Sequence, residues 1–329
     1  MRKTLRQVGD LVTGRVHSLG LFLTRRCNSR CVYCCLEVGT DPKDKLTLEE
    51  IKRVLKEASD MGARQLVIPG EGEPLLDENL FPVIEHAQAL GMTTKVYTNG
   101  ALVTPAAAAR LFRSGVSVVF KLPTLDEAVY DRLAGVPRLL RWAAAPSKAN
   151  PDGRTRVPEA LLHFLDAGYG TPRGRLLFSV ECAVMKPNLA DIPAVARLCR
   201  RLGLEFLPET TIRLAAADRS WDALAVTPGE EAALFRELVR ISGRRFLWQQ
   251  RVRCRFETNP FIDASGNLRH CFGLAADIGN IREAPLAELH AREMKLRRET
   301  GMLNPKIAPR HRGFRKCATR RSLESRGND

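Results

Sequence analysis

The residues best suited to chemistry are three cysteines, Cys27, Cys31 and Cys34. They lie in the run Thr24-Arg25-Arg26-Cys27-Asn28-Ser29-Arg30-Cys31-Val32-Tyr33-Cys34. Three thiolates in a C-x3-C-x2-C spacing on one loop suit an iron–sulfur cluster. A cubane usually takes four cysteines, so a three-cysteine loop can leave one iron open to a ligand from outside the protein. Zinc suits the spacing less well, because zinc sites favour a C-x2-4-C pair matched by a second pair nearby. A closed disulfide framework suits it less well too. The chain has nine cysteines, an odd count, and residues 1–12 are charged and polar, with no apolar signal core.

Elements that can hold such a loop follow from the pattern of apolar residues. Apolar runs alternate with helical periodicity, which argues for parallel strands joined by crossover helices. Residues 19–23 read as the first strand, with the cysteine loop directly after it. Thr47-Leu48-Glu49-Glu50 opens a helix by a capping box, and Ile51, Val54, Leu55 and Ala58 mark its buried face. Residues 65–68 read as the second strand, 80–90 as a helix and 94–97 as the third strand. Thr104-Pro105 starts the next helix, and residues 116–122 read as the fourth strand. Pro137, Pro146, Pro151 and Gly153 then break the rhythm. Residues 136–157 therefore read as an inserted loop, either a surface excursion or a lid near the substrate. The helical pattern resumes over 158–167. A fifth strand at 176–184, its helix at 192–202 and a sixth strand at 204–207 complete six βα units. This predicts an α/β fold, a partial (β/α)6 version of the TIM barrel. In parallel barrels the site lies at the C-terminal ends of the strands.

Two further motifs fall at such ends. Glu71-Gly72-Glu73-Pro74 follows the second strand, and Thr98-Asn99-Gly100 follows the third. With the cysteine loop and Tyr33 just before its third cysteine, they resemble the radical S-adenosylmethionine (SAM) superfamily. The resemblance implies that Cys27, Cys31 and Cys34 bind a [4Fe–4S] cluster whose fourth iron is chelated by SAM. It implies reductive cleavage of SAM to a 5′-deoxyadenosyl radical that abstracts hydrogen from a substrate. It places Gly72, Glu73 and Pro74 at the methionine end of SAM, and Thr98 and Asn99 at its ribose and adenine. The usual Gly-Gly-Glu-Pro is altered here by Glu71, a carboxylate expected beside the SAM pocket, within reach of substrate. Lys121 and Glu181 are charged residues inside apolar strands, where an unpaired charge is rarely buried. They are candidates to bind SAM or substrate, or to exchange a proton. A mutual salt bridge is the plainer reading.

A second cysteine set lies downstream. Asp263 to Gly266 reads as a hairpin turn, followed by Cys271, by Ile278-Gly279-Asn280-Ile281 and by a helix from about Leu286. Cys254, Gly266, Cys271 and that segment resemble the SPASM/twitch extensions of radical SAM enzymes. The resemblance implies a small C-terminal twitch-like domain with an auxiliary [4Fe–4S] cluster on Cys254, Cys271 and Cys317. A fourth ligand is not evident; His311 and an open iron are the alternatives. The expected division is a core over 1–227 and an extension with a basic tail over 228–329. Cys182 and Cys199 sit in apolar surroundings and read as core.

Composition bounds the partners. No apolar stretch approaches the length of a membrane span, so a soluble, cytoplasmic protein is expected, and cluster-binding thiols suit a reducing compartment. The net charge is +15, densest from Arg310 to Lys316. It suits an arginine-rich surface and, weakly, an acidic substrate. It comes with no nucleic-acid recognition signature, so nucleic acid is not an expected partner. By resemblance, the expected activity is an oxidoreductase or lyase acting on a small, polar, anionic sugar-, cyclitol- or nucleoside-like metabolite in specialised biosynthesis. A flavodoxin- or ferredoxin-type protein would supply the electron. The alternatives are a maturase of ribosomally made peptides and, less favoured, an RNA-modifying iron–sulfur protein.

Overall fold

A computed structural model describes residues 16–171, 176–211, 213, 215–250, 259–269 and 278–299. Six parallel strands lie side by side in chain order: β1 (Ser18–Leu21), β2 (Gln65–Ile68), β3 (Thr93–Thr98), β4 (Val116–Lys121), β7 (Phe178–Val184) and β8 (Glu205–Thr210). Helices α1 (Leu48–Asp60), α2 (Leu80–Ala89), α3 (Pro105–Arg113), α5 (Glu159–Asp166) and α6 (Ile192–Leu202) cover the outer face. This is the expected partial barrel. Thr47 caps α1 as predicted: its hydroxyl accepts from the Glu50 amide, and Glu50 accepts from the Thr47 amide at 2.8 Å.

Successive strand residues point to opposite faces, and here the two faces differ. Val96, Val118, Phe120, Val180 and Phe206 are buried against the helices, each adding about 1.5–3 kcal/mol for a fully buried side chain. The alternate residues Lys95, Tyr97, Ser117, Lys121, Ser179 and Glu181 line the concave face. Strands of a parallel sheet covered on both sides are apolar throughout. An alternating pattern is what an incomplete barrel with an accessible inner face requires.

The chain departs from the predicted rhythm after β4. Helix α4 (Glu127–Ala134) begins where Asp126 accepts from the Val129 amide at 2.8 Å, and it ends at Gly135, with φ +66°. The stretch read as a loop contains β5 (Trp142–Ala144) and β6 (Arg156–Pro158), paired antiparallel. It is packed down: Trp142 meets Tyr130 edge-on at 5.8 Å, and Arg201 Nη2 donates to the Ala149 carbonyl at 3.0 Å. Strands of three residues set among prolines are too short to show a period, which is why the sequence conceals them.

After β8 come α7 (Ala215–Arg219), α8 (Trp221–Leu224) and α9 (Pro228–Gln250). The predicted hairpin is present as β9 (Phe261–Ile262) and β10 (Leu268–Arg269), and β9 adds to the main sheet parallel to β1. Gly20 makes this pairing possible, since a Cβ there would run into the Phe261 ring. Helix α10 (Leu286–Glu299) then lies against α1. Cys254, Cys271, Cys317 and His311 lie outside the described residues. No helix among the described residues is long and apolar enough to cross a membrane.

Candidate active site

The cysteine loop leaves the C-terminal end of β1 and is held from several sides. The Arg30 and Val32 amides donate to the Ala134 and Leu133 carbonyls at the end of α4, at 2.9 and 3.0 Å. The Ala217 amide of α7 donates to the Cys34 carbonyl at 3.1 Å. Asp41 accepts from the Thr24 hydroxyl at 2.6 Å and the Arg25 amide at 2.8 Å. The Gly72 and Glu73 amides donate to the carbonyls of Thr24 and Arg26, both at 2.9 Å, laying the second motif along the loop. Glycine is needed at 72, because a Cβ would collide with the Arg26 carbonyl.

Within the loop, the Ser29 hydroxyl lies 3.1 Å from Cys31 Sγ and 3.6 Å from Cys27 Sγ. Cys34 Sγ donates to the Leu36 carbonyl at 3.3 Å. Burial pushes the Cys31 thiol up and the Cys34 thiol up to about 12. A metal that replaces the proton offsets that cost. Among the described residues no three ligand-type side chains converge as they would around a single ion.

Glu73 lies beside the loop, 1 % exposed. Its carboxylate accepts from the Thr98 hydroxyl at 2.8 Å, the Asn99 amide at 2.8 Å and the Leu75 amide at 3.2 Å. All three donors are neutral. Burial outweighs them and pushes the carboxyl up to about 7. A buried carboxylate supplied only with neutral donors is chemically matched to an ammonium from a ligand. Asn99 Nδ2 donates to Asn28 Oδ1 at 2.8 Å and approaches Cys27 Sγ at 4.0 Å, so the two motifs touch. Thr98 is buried and spends its hydroxyl on Glu73.

Lys121 and Glu181 are partners in the sheet register and form an ion pair. Lys121 is one-third exposed and lies over the Tyr97 ring at 5.1 Å. Burial lowers its ammonium, but the Glu181 charge and hydrogen bond more than offset this, and the net direction is upward. Glu71 is not open toward the pocket. It is buried, 3.7 Å from Arg25 Nε and 3.8 Å from Arg269 Nη2 of β10, and its Oε2 has no hydrogen-bond partner.

The structure thus gathers Cys27, Cys31, Cys34, Gly72, Glu73, Pro74, Thr98 and Asn99 at one end of the sheet, with the Lys121–Glu181 pair on its inner face. Tyr33 contributes its ring to a small apolar cluster with Leu133, Met185, Ala217 and Leu224. Ser29, Asn28 and Tyr97 join the site without having been predicted. Strand alternation could have found Tyr97, which shares a face with Val119 and Lys121; nothing local singles out Ser29 or Asn28.

Known proteins share these features. The profile described as the radical SAM superfamily matches residues 21–168. A GTP 3′,8-cyclase of Synechococcus sp. (strain CC9902) is 31% identical over 199 residues, 57% of this chain and 53% of that protein. A PqqA peptide cyclase of Bradyrhizobium diazoefficiens is 33% identical over 117 residues, 35% of this chain and 30% of that protein. The chain thus spans about half the length of the first of these relatives, and less of the second. Among solved structures, Streptococcus suis SuiB bound to its precursor peptide SuiA has a TM-score of 0.63 at 16% identity, covering 88% of this chain and 68% of that one. At that identity the likeness concerns the fold. Residues 21–168 are a radical SAM domain, whose cofactors are a [4Fe–4S] cluster and SAM.

Proposed function

We propose that this protein is a hydrogen-abstracting enzyme acting on a small polar metabolite of nucleotide, sugar or cyclitol type. In this reading Cys27, Cys31 and Cys34 hold the cluster, and Glu73 receives the SAM ammonium. Gly72 and Pro74 join Glu73 at the methionine end, where Gly72 lets the backbone approach, and Asn99 fixes the nucleoside side with Thr98 in support. The single observation that carries the reading is the buried Glu73 carboxylate, met among the described residues by neutral donors and laid against a three-cysteine loop. Bound together, the cluster and SAM supply a 5′-deoxyadenosyl radical that takes hydrogen from an unactivated C–H bond. The protein must orient that bond and keep competing reactants out.

The substrate part of the reading rests on the concave face. Lys121, Glu181 and Tyr97 bring a cation, an anion and an aromatic hydroxyl together, suited to a hydroxylated or ionic metabolite rather than a greasy one. The cyclase relatives, named for a nucleotide substrate, support it. Lys121 and Glu181 are the residues assigned to substrate or SAM contact and to proton exchange. An acidic flavodoxin- or ferredoxin-type carrier is the proposed electron source, and oxidoreductase or lyase chemistry the proposed outcome. A second reading, peptide maturation, is favoured by the PqqA peptide cyclase relative.

The chain is read as a core over 1–227 and an extension over 228–329, in which Cys254, Cys271 and Cys317 bind an auxiliary cluster. Reconstitution should then load about two [4Fe–4S] clusters per chain. Replacing those three cysteines together by alanine should remove one; unchanged iron sinks the auxiliary assignment. For the main reading, Cys31→Ala should abolish 5′-deoxyadenosine formation under dithionite, and persistent formation refutes the role of the loop. Transfer of deuterium into 5′-deoxyadenosine from labelled nucleotides or sugars, but not from peptides, separates the two substrate readings.

A further inference from the structure

The sulfurs of the cysteine loop are unequally supplied with hydrogen bonds. Ser29 is 4% exposed, and its hydroxyl is nearer Cys31 Sγ, at 3.1 Å, than Cys27 Sγ, at 3.6 Å. Among the described residues Cys27 otherwise has the distant Asn99 amide group, at 4.0 Å. Cys34 is itself the donor in its contact with Leu36, and a thiolate has no proton to give.

A serine hydroxyl carries one proton. Once the cysteines are thiolates, Ser29 can only donate, and distance directs its proton to Cys31. We propose that Ser29 raises the reduction potential of the cluster by hydrogen-bonding the Cys31 thiolate, serving as a positioning residue that acts through that sulfur. This rests on the reading of Cys27, Cys31 and Cys34 as cluster ligands. Reduction moves one electron from an external carrier, which is oxidised, onto the cluster, with no proton transferred. The added negative charge spreads onto the sulfurs. A donor at one of them therefore stabilises the reduced form more than the oxidised form. Without it, the carrier would have to be a stronger reductant.

The test is a redox titration of the reconstituted protein, followed by electron paramagnetic resonance, with iron and sulfide measured in each sample. Ser29→Ala should keep its iron but lower the midpoint, so that the reduced-to-oxidised ratio at the wild-type midpoint falls several-fold. Ser29→Thr keeps the hydroxyl and should stay with the wild type. An unchanged midpoint in fully loaded Ser29→Ala overturns the proposal, as does a fall in Ser29→Thr equal to that in Ser29→Ala. If Ser29→Ala does not load, Ser29→Gly decides, and an unchanged midpoint there overturns the proposal. A wild-type protein that takes up no iron strikes down the ligand assignment itself, a result distinct from a loaded cluster with an insensitive potential.

Discussion

At the scale of single residues, Glu73 and Gly72 are the positions where local chemistry is most constrained. The Glu73 carboxyl is raised from 4.5 to about 7 by burial, against the pull of three hydrogen bonds. In the unfolded chain it ionises near 4.5. The folded, ligand-free protein therefore has the full contribution of Glu73 below pH 4.5 and loses it as pH rises toward 7. The loss is at most about 3 kcal/mol. Glu73→Gln should remove this slope, so urea unfolding at pH 5 and pH 8 should show the variant gaining on the wild type at the higher pH. A difference that does not change with pH would falsify the raised carboxyl. Gly72→Ala places a Cβ against the Arg26 carbonyl. It should cost about 1–3 kcal/mol and lower the iron bound per chain, read by thermal melting and iron analysis.

At the scale of elements, the cysteine loop is held in shape by α4 rather than by β1 alone. The last carbonyls of α4 pair with the Arg30 and Val32 amides. Gly135 ends the helix at φ +66°, where a Cβ would run into the Arg30 carbonyl. Gly135→Ala adds backbone strain to that collision and should cost roughly 1–3 kcal/mol. Because the strained contact is on the loop, cluster uptake should fall further than it does for an equally destabilising change elsewhere. Trp142→Ala provides the comparison: it removes the edge-on contact with Tyr130 and should cost about 3–5 kcal/mol. If both variants lose iron in simple proportion to stability, α4 has no special hold on the loop.

For the whole molecule, the question is how the segment from Asn259 onward is tied to the barrel. Backbone pairing of β9 with β1 does part of it. The Arg282 guanidinium forks onto the Glu50 carboxylate at 2.5 and 2.9 Å, and its Nη1 reaches the Asp44 carbonyl at 2.9 Å. Arg282 comes first among the causes that hold the Glu50 carboxyl down to about 2. Its stabilisation is complete above the ordinary value of 4.5 and is lost as pH falls toward 2. Both side chains are partly exposed, so Arg282→Ala should cost only about 1 kcal/mol at neutral pH. The difference from wild type should vanish in acid titration below about pH 2. A cost that persists there would assign the effect to packing rather than charge.

Much of this protein is legible from residue order alone. Hydrophobic period and caps locate the six βα units, since strand and helix faces are set by local repeat. The three motifs share one end of the barrel because each follows a strand in a parallel sheet. The cysteine spacing suits an iron–sulfur cluster because thiolate number and reach along one loop decide which metal group fits. Helix α4 and the β5–β6 pair stay hidden: short elements contribute too few residues to a periodic signal and are held by contacts between elements, Tyr130 with Trp142 and Arg201 with Ala149. Glu71 shows the same limit more sharply. From its motif it belongs beside the SAM pocket; only the folded chain brings Arg269 to it, 198 residues later in sequence by the positions themselves. Which charges pair, and which sulfur receives the serine proton, are decided by side-chain distances that no spacing in the sequence encodes.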